Sequence, residues 1–307
     1  MVAADEHTQE PLPGAVPELS VITVTHARLD LLRRKAEALS AQTLAPARFE
    51  WCVVVNGDAA AAAWLRASEF PFHVQVTELP ENGPVAAGRN LAVATARGAC
   101  LLLSDDDVLP SPDCLAAHLA AHAALGGRGA VIGDLRLSEE LRVDGVTEPF
   151  EQRILQSGAG LWINVTGANS SLPRAVFQAI GGFDEAFAAY GGEDSDLGFR
   201  LRAAGMRFAR SAAAWAVHVG RVLPDTAKAF AAGRAGVKVW RKHKAFETGV
   251  MLGVHPVLVA IKRIWLRSPA RGLLSAERLA YELAYLDGAR AELHSGARPK
   301  AEEARGE

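Results

Sequence analysis

The 307-residue chain is poor in the residues that clip a fold together: it has three cysteines, Cys52, Cys100 and Cys114, and none in Cys-x-x-Cys spacing. Two of them fall in apolar, strand-like runs, which predicts small core hydrophobes in a reducing compartment rather than disulfides or zinc ligands. The start of the chain carries Asp5, Glu6, Glu10, Pro11 and Pro13 in place of a basic n-region and an apolar h-region. No signal peptide is predicted from it, so the sequons at Asn164 and Asn169 are no ground for glycosylation. No run reaches the roughly 18 uninterrupted apolar residues of a spanning helix. Neither GxxxxGK[ST] nor GxGxxG occurs, and no Ser-His-Asp or Cys-His arrangement is evident, which speaks against P-loop, dinucleotide and nucleophilic chemistry. There is no internal repeat. What is present, 50% hydrophobic and 22% charged residues, is the composition of a globular protein. The length suits one large domain with an appendage, or two modest domains.

Charge is spread unevenly. The formal net charge is −2, yet between Arg221 and Arg271 eleven lysines and arginines face only Asp225 and Glu247. The rest of the chain is therefore net acidic. No recognition module or aromatic-basic interleaving accompanies the basic stretch, so nucleic acid is not expected as a partner. An anionic membrane surface or a phosphorylated substrate fits it better.

The pattern predicts a flexible leader over 1–17, then strands alternating with helices. Leu19–Thr25 is β-branched, and Trp51–Val55 ends in the turn Asn56-Gly57-Asp58; Phe72–Val76, Ala99–Ser104 and Ala130–Asp134 read as further strands. Helices are predicted over Arg28–Gln42, Ala59–Ser68, Pro84–Ala96 and Asp113–Ala124. This alternation argues for a mostly parallel sheet covered by helices on both faces. Residues 136–160 read as a loop over the site, and Trp162–Leu172 reads as a strand. From about Pro224 the chain turns helical and basic, with Phe230, Gly233, Val237 and Trp240 on one stripe. Val250–Ile261 is apolar but interrupted by Pro256, and 276–293 reads as another helix. The predicted layout is a catalytic domain over 18–222, a basic amphipathic helical extension over 223–294 and a flexible tail over 295–307.

Two acidic clusters carry the chemistry. Asp105, Asp106 and Asp107 follow a buried strand at once, and like charges this close point either to a cation or, with Pro110 and Pro112 following, to a solvated turn. Strand alternation would put Asp105 and Asp107 on one side and Asp106 on the other. The ends of three predicted strands, Thr25, Asn56 and Asp105, fall on the sheet edge where ligands of such sheets bind. The second cluster, Glu193 and Asp194, follows Gly191-Gly192 at a helix start, where acids also offset free N–H groups and the dipole. A carboxylate held there beside another anionic site has the makings of a general base. Together the clusters suggest group transfer from a metal-bound diphosphate.

The residues Ser20–Arg28, Val54–Asp58, Asn82-Gly83 with Gly88-Arg89-Asn90, Leu103–Asp107, and Gly181–Glu185 followed by Gly192–Leu197 resemble, in order, the motifs of family 2 glycosyltransferases. The resemblance implies the GT-A (nucleotide-diphospho-sugar transferase) fold with a C-terminal helical extension, and an inverting, metal-dependent transfer from a nucleotide-diphosphate sugar to an acceptor hydroxyl. By resemblance Thr25, His26, Arg28, Asn56, Asp58, Arg89, Asp105 and Asp106 bind the donor. Asp105, Asp107 and His218 would hold Mn²⁺ or Mg²⁺. Asp194 is the favoured base with Glu193 close behind, and Trp162, Thr166 and Asn169 face the acceptor, a saccharide or lipid-linked saccharide, with a place in the buried core as the alternative for Trp162. Val55 and Val24-Thr25-His26 depart from the family pattern around the base, which leaves uridine favoured and guanosine and thymidine open. The protein is expected in the cytoplasm, and the basic extension either rests on the inner face of a membrane or packs on the catalytic domain with its lysines solvated. The rival readings are a nucleotidyltransferase and a non-catalytic nucleotide-sugar-binding scaffold. The sequence carries no signal of oligomeric state.

Overall fold

A computed structural model describes residues 6–8, 16–138, 161–188, 190–219 and 225–295. Among them nine strands form one sheet: β1 (Glu6–Thr8), β2 (Leu19–Thr25), β3 (Phe49–Asn56), β4 (His73–Leu79), β5 (Cys100–Leu103), β6 (Val108–Pro110), β7 (Gly129–Leu137), β8 (Ser170–Pro173) and β9 (Arg207–His218). Their order is β1-β4-β3-β2-β5-β8-β7-β9-β6. Strands β4, β3, β2, β5, β7 and β9 run one way, and β1, β8 and β6 run against them. Three residues of the expected leader thus lie in a strand, because Glu6–Thr8 pairs with Gln75–Thr77 of β4. The expected loop is shorter than its prediction at its start, where β7 runs on to Leu137, and 139–160 lie outside the described residues.

The chain divides into two units, one of residues Met1–Ala188 and Glu193–Val222, the other of Ala189–Gly192 and Leu223–Glu307. In the first, helices α1 (Leu29–Ser40), α2 (Ala59–Ala67), α3 (Val85–Thr95), α4 (Cys114–Ala124), α5 (Arg174–Ala179) and α6 (Glu193–Ala203) cover the sheet. Alternate strand residues sort into two cores. Leu19, Val21, Trp51, Val53, Val55 and Leu102 meet α1, α2 and α4. Ile22, Cys52, Val54, Leu101 and Leu103 meet α3, α5 and α6. That two-sided burial is why Trp51–Val55 of β3 reads as an unbroken apolar run; all three cysteines are free and buried.

The expected strand Trp162–Leu172 forms only at its end, as β8. Leu161–Asn164 is a single 3₁₀ turn instead. It packs on α6 at Gly198, where a Cβ would collide with the Trp162 carbonyl. The Thr166 N–H donates to Ser170 Oγ at 3.0 Å and the Gly167 N–H to Asp194 Oδ2 at 3.1 Å, which takes both amides out of any ladder.

The second unit holds α7 (Thr226–His243), α8 (Phe246–Met251), α9 (Pro256–Arg267) and α10 (Ala276–Ser295). Asp225 caps α7 by accepting from the N–H groups of Ala227 and Lys228. Val237, Val254, Val259, Leu266, Leu286 and Ala289 form its core. α7 and α10 approach closely because both carry glycine where they meet. A Cβ on Gly233 would strike the Tyr285 carbonyl, and one on Gly288 the Phe230 carbonyl. The 22-residue stretch Phe246–Arg267 holds an 18-residue window of mean hydropathy 1.4 and is by length and composition apolar enough to cross a bilayer. It is broken into α8 and α9 by the turn at Gly253 (φ +66°) and by Pro256.

Candidate active site

β2 and β3 end together, with Thr25 beside Val55, and β5 stops lower, with Leu103 beside Ile22, so the acidic turn rises along the end of β2 to the carboxyl edge of the sheet. It is fastened from below. Thr23 Oγ1 donates to the Ser104 carbonyl at 2.8 Å while Trp51 Nε1 donates to Thr23 Oγ1 at 3.0 Å. Lys35, on α1, is fully buried and gives its three protons to Ser104 Oγ (2.7 Å) and the carbonyls of Asp105 (2.8 Å) and Val108 (2.9 Å). Burial lowers the Lys35 pKa to about 8, against the upward pull of the three aspartates.

Pairing stops at Leu103, so strand alternation does not govern the aspartates. Contrary to the expectation that Asp106 faces away, Asp106 and Asp107 both meet Arg28 Nη1, at 3.0 and 2.9 Å, and Thr25 Oγ1 donates to Asp106 Oδ2 at 2.8 Å. Asp105 turns instead to Arg89. Arg28 and His26 flank Ala27, which sits at φ 53°. A left-handed residue with a Cβ costs about 1–2 kcal/mol, and here it makes the sharp exit from β2 that delivers both side chains to the edge.

His26 Nδ1 lies 2.5 Å from the Asn56 carbonyl. The Asn56 side chain is 2% exposed and spends both amide groups on Gly83, donating to its carbonyl at 2.9 Å and accepting from its N–H at 2.8 Å. Asp58 caps α2. Asn56 thus shapes the edge through its side chain, and Asp58 commits Oδ1 to the cap.

Arg89, on α3 and 5% exposed, joins the two acidic clusters. Its Nη2 lies 2.7 Å from Asp105 Oδ1, and its Nη1 3.2 Å from Asp194 Oδ1 and 3.5 Å from Glu193 Oε1. Acids some ninety residues apart in sequence thus converge on one guanidinium. The packing leaves no room to spare, since a Cβ on Gly167 would run into that guanidinium. Burial raises Asp105, but Arg89 and then Lys35 and His218 outweigh it and hold the carboxyl below its usual range. Burial raises Asp194 against the pull of Arg89, and it raises Glu193, with the Asp194 charge adding to the shift, to about 7. Neighbouring carboxyls pushed in opposite directions are the mark of a site where acid and base roles are divided. Gly191 and Gly192, at φ +87° and +97°, make the turn into Glu193 that only glycine adopts readily. Leu197 and Leu201 anchor α6 in the core.

His218, at the end of β9, points Nε2 at Asp107 Oδ1 across 3.7 Å, and its buried Nδ1 meets no hydrogen-bond partner among the described residues. The pair fits a hard divalent ion: one carboxylate, one imidazole, and a gap too long for a hydrogen bond. Among the described residues no group of three or more such side chains converges as a complete cage. The balance of a coordination shell would fall to ligand oxygens, as suits a metal carried by a diphosphate.

Two of the expected acceptor residues are interior. Trp162 is 3% exposed, with its ring edge-on to Phe199 at 5.5 Å. Asn169 is 2% exposed and donates to the carbonyls of Asp134 and Ala214. Its Oδ1 meets His118 Nε2 at 3.0 Å; His118 Nδ1 meets Ser171 Oγ at 2.8 Å, and His122 Nε2 meets the same hydroxyl at 2.8 Å. Thr166 alone of the three is half-buried, next in the chain to the Gly167 whose N–H meets Asp194. Burial lowers the His118 pKa to about 4 and lowers that of His122 as well. A histidine held below its unfolded value of about 6.5 lends stability that is complete above that pH and is lost as pH falls towards 4, here about 3 kcal/mol for His118. Denaturant midpoints measured from pH 7 to 4 are expected to fall less steeply in His118→Gln than in the parent chain; equal slopes would remove His118 from the acid response.

Sequence reasoning passed over Lys35 and Gly167. Lys35 had a signal: it shares the inward stripe of α1 with Leu32, Ala36 and Leu39, where a cation needs a buried partner. Nothing local marks Gly167.

Residues 20–181 match the model of glycosyl transferase family 2, and 161–222 match that of the N-terminal domain of galactosyltransferase. Validoxylamine A glucosyltransferase of Streptomyces hygroscopicus subsp. limoneus is 31% identical over 243 residues, 67% of this chain and 53% of that protein. The chain spans about half the length of the curated relatives it matches. Among solved structures, the mannosyltransferase PcManGT from Pyrobaculum calidifontis in complex with GDP-Man and Mn²⁺ superposes with a TM-score of 0.68 at 17% identity, covering 93% of this chain and 89% of that one. S. aureus TarS 1-349 in complex with UDP gives 0.56 at 16% identity, covering 91% of each. These likenesses fix the fold as GT-A.

Proposed function

Since the chain belongs to glycosyl transferase family 2, we propose that it moves a sugar from a nucleotide-diphosphate sugar, a UDP-sugar foremost, to a hydroxyl of a saccharide or lipid-linked saccharide by a single inverting displacement. The acceptor oxygen forms its bond to the anomeric carbon as the bond from that carbon to the diphosphate breaks. The acceptor proton passes to Asp194, and the nucleoside diphosphate leaves. Asp107 and His218, with Asp105 beside them, would hold Mn²⁺ or Mg²⁺, whose charge offsets that gathering on the leaving diphosphate. Thr25 and Arg28 set Asp106 and Asp107 at the donor edge. Arg89 keeps the base and the donor-side acid within reach of each other.

The observation that carries this reading is the span of one guanidinium from Asp105 to Asp194. A displacement without a covalent intermediate needs a cation-binding acid and a proton-accepting acid in one cleft, and no enzyme nucleophile. The test is nucleoside diphosphate release from UDP-, GDP- and TDP-sugars, with and without Mn²⁺. Metal-dependent release from at least one donor is expected. Metal-independent binding with no release would favour the scaffold, and pyrophosphate release from a nucleoside triphosphate would favour the nucleotidyltransferase.

A further inference from the structure

The second unit leaves an apolar face open. Val257 is 58% exposed, Ile261 56%, Ile264 71% and Trp265 38%, while Val259 and Leu266 on the opposite side of α9 fill the core. At 3.6 residues per turn the four exposed side chains fall within an arc of about 100°. Beyond the helix, in the turn Pro269–Leu273, Leu273 is 83% exposed.

Cations border this face. Arg263 and Arg267 follow one another along one margin, and Arg271 stands in the turn beyond. Lys262, on the other margin, is tied to Glu282. Arg267 and Arg290 lower the pKa of Arg263 by repulsion, only partly offset by Asp287. Among the described residues the fold therefore gathers guanidiniums beside exposed apolar side chains with only Asp287 partly offsetting their charge at Arg263. A second copy docked face to face would set these cations against their own counterparts. A surface of anionic headgroups over hydrocarbon complements both features at once.

Length decides how such a helix could lie. α9 has 12 residues, about 18 Å at 1.5 Å per residue, against a hydrocarbon core of about 30 Å. It is too short to span, and the break at Gly253–Pro256 keeps α8 from extending it.

We infer that α9 lies in the plane of an anionic lipid surface, inserting Val257, Ile261, Ile264 and Trp265 while Arg263, Arg267 and Arg271 meet lipid phosphates. This adds a location to the proposed transfer and does not depend on it, because the test needs neither donor nor turnover. The full chain is floated with vesicles of phosphatidylcholine alone or mixed with phosphatidylglycerol, at low and high salt. Flotation with the anionic vesicles at low salt, and release at high salt, is expected. The variant Arg263→Gln/Arg267→Gln/Arg271→Gln is expected to partition about a hundredfold more weakly onto anionic vesicles. Ile261→Asp/Ile264→Asp is expected to abolish flotation with its thermal melt unchanged, since both side chains are exposed. No retention of the parent chain at low salt, or equal flotation of the aspartate variant, would overturn the inference. So would a concentration-dependent dimer abolished by Ile264→Asp in a chain that does not float; the face would then belong to a second copy.

Discussion

Asp194→Asn is expected to bind donor as the parent chain does and to lose about 10² to 10⁴ in turnover, the range for a lost general base. The substitution keeps an oxygen for the Gly167 N–H and leaves Arg89 its contacts with Asp105 and Glu193, but its amide nitrogen gives up the pair with Arg89 Nη1, so a melting curve run beside the kinetics separates a lost base from a loosened cleft. What disappears is the carboxylate that burial holds above its usual range. A base must be deprotonated to act. The parent rate should therefore rise with pH through a window displaced upward from ordinary carboxylates, and that limb should vanish in the variant. Steady-state kinetics over pH 5–8, with donor affinity measured separately, reads both. Near-normal turnover would pass the role to Glu193, whose buried Oε2 meets no hydrogen-bond partner among the described residues.

Arg89→Met is expected to be the most damaging change to the fold. It leaves Asp105, Asp194 and Glu193 facing one another without the cation that joins them, and breaking a buried pair from one side costs about 3–5 kcal/mol. The sign with pH follows. Without Arg89 the carboxyls of the folded state titrate higher, above their unfolded values. The variant should therefore close part of its deficit as pH falls and they take up protons. Urea midpoints at pH 7.5 and 5.5 measure this. A midpoint equal to the parent's at pH 7.5 would mean the guanidinium is not what reconciles the two clusters.

Much of the architecture could be read from the sequence because its signals are periodic. The β-branched and apolar runs of β2, β3 and β5, buried almost throughout, identify strands covered on both faces, and their ends mark the edge where Thr25 and Asp105 gather. The acidic turn was misread in detail because alternation holds only while the ladder lasts, and it ends at Leu103. Trp162–Leu172 was misread because its small hydrogen-bonding residues serve a turn against α6 as readily as a strand. Asn169 looked like a ligand because an exposed polar loop and a buried polar seam have the same composition. Its partners His118 and Ala214 lie 51 and 45 residues away, and no local pattern announces them. The resemblance placed Arg89 only at the donor; the convergence of both clusters on it was not legible, since a guanidinium shared between α3, the acidic turn and α6 is a property of the packed molecule.

The most direct measurement is a calorimetric titration of the preferred nucleotide-diphosphate sugar into the parent chain and into Asp107→Ala, each with and without Mn²⁺. Asp107 is 14% exposed at its side chain and faces His218, so its loss should remove the metal's increment in donor affinity while binding in the absence of metal stays as it was. Parent and variant gaining equally from Mn²⁺ would contradict the assignment of the acidic turn as the seat of a metal-bound diphosphate.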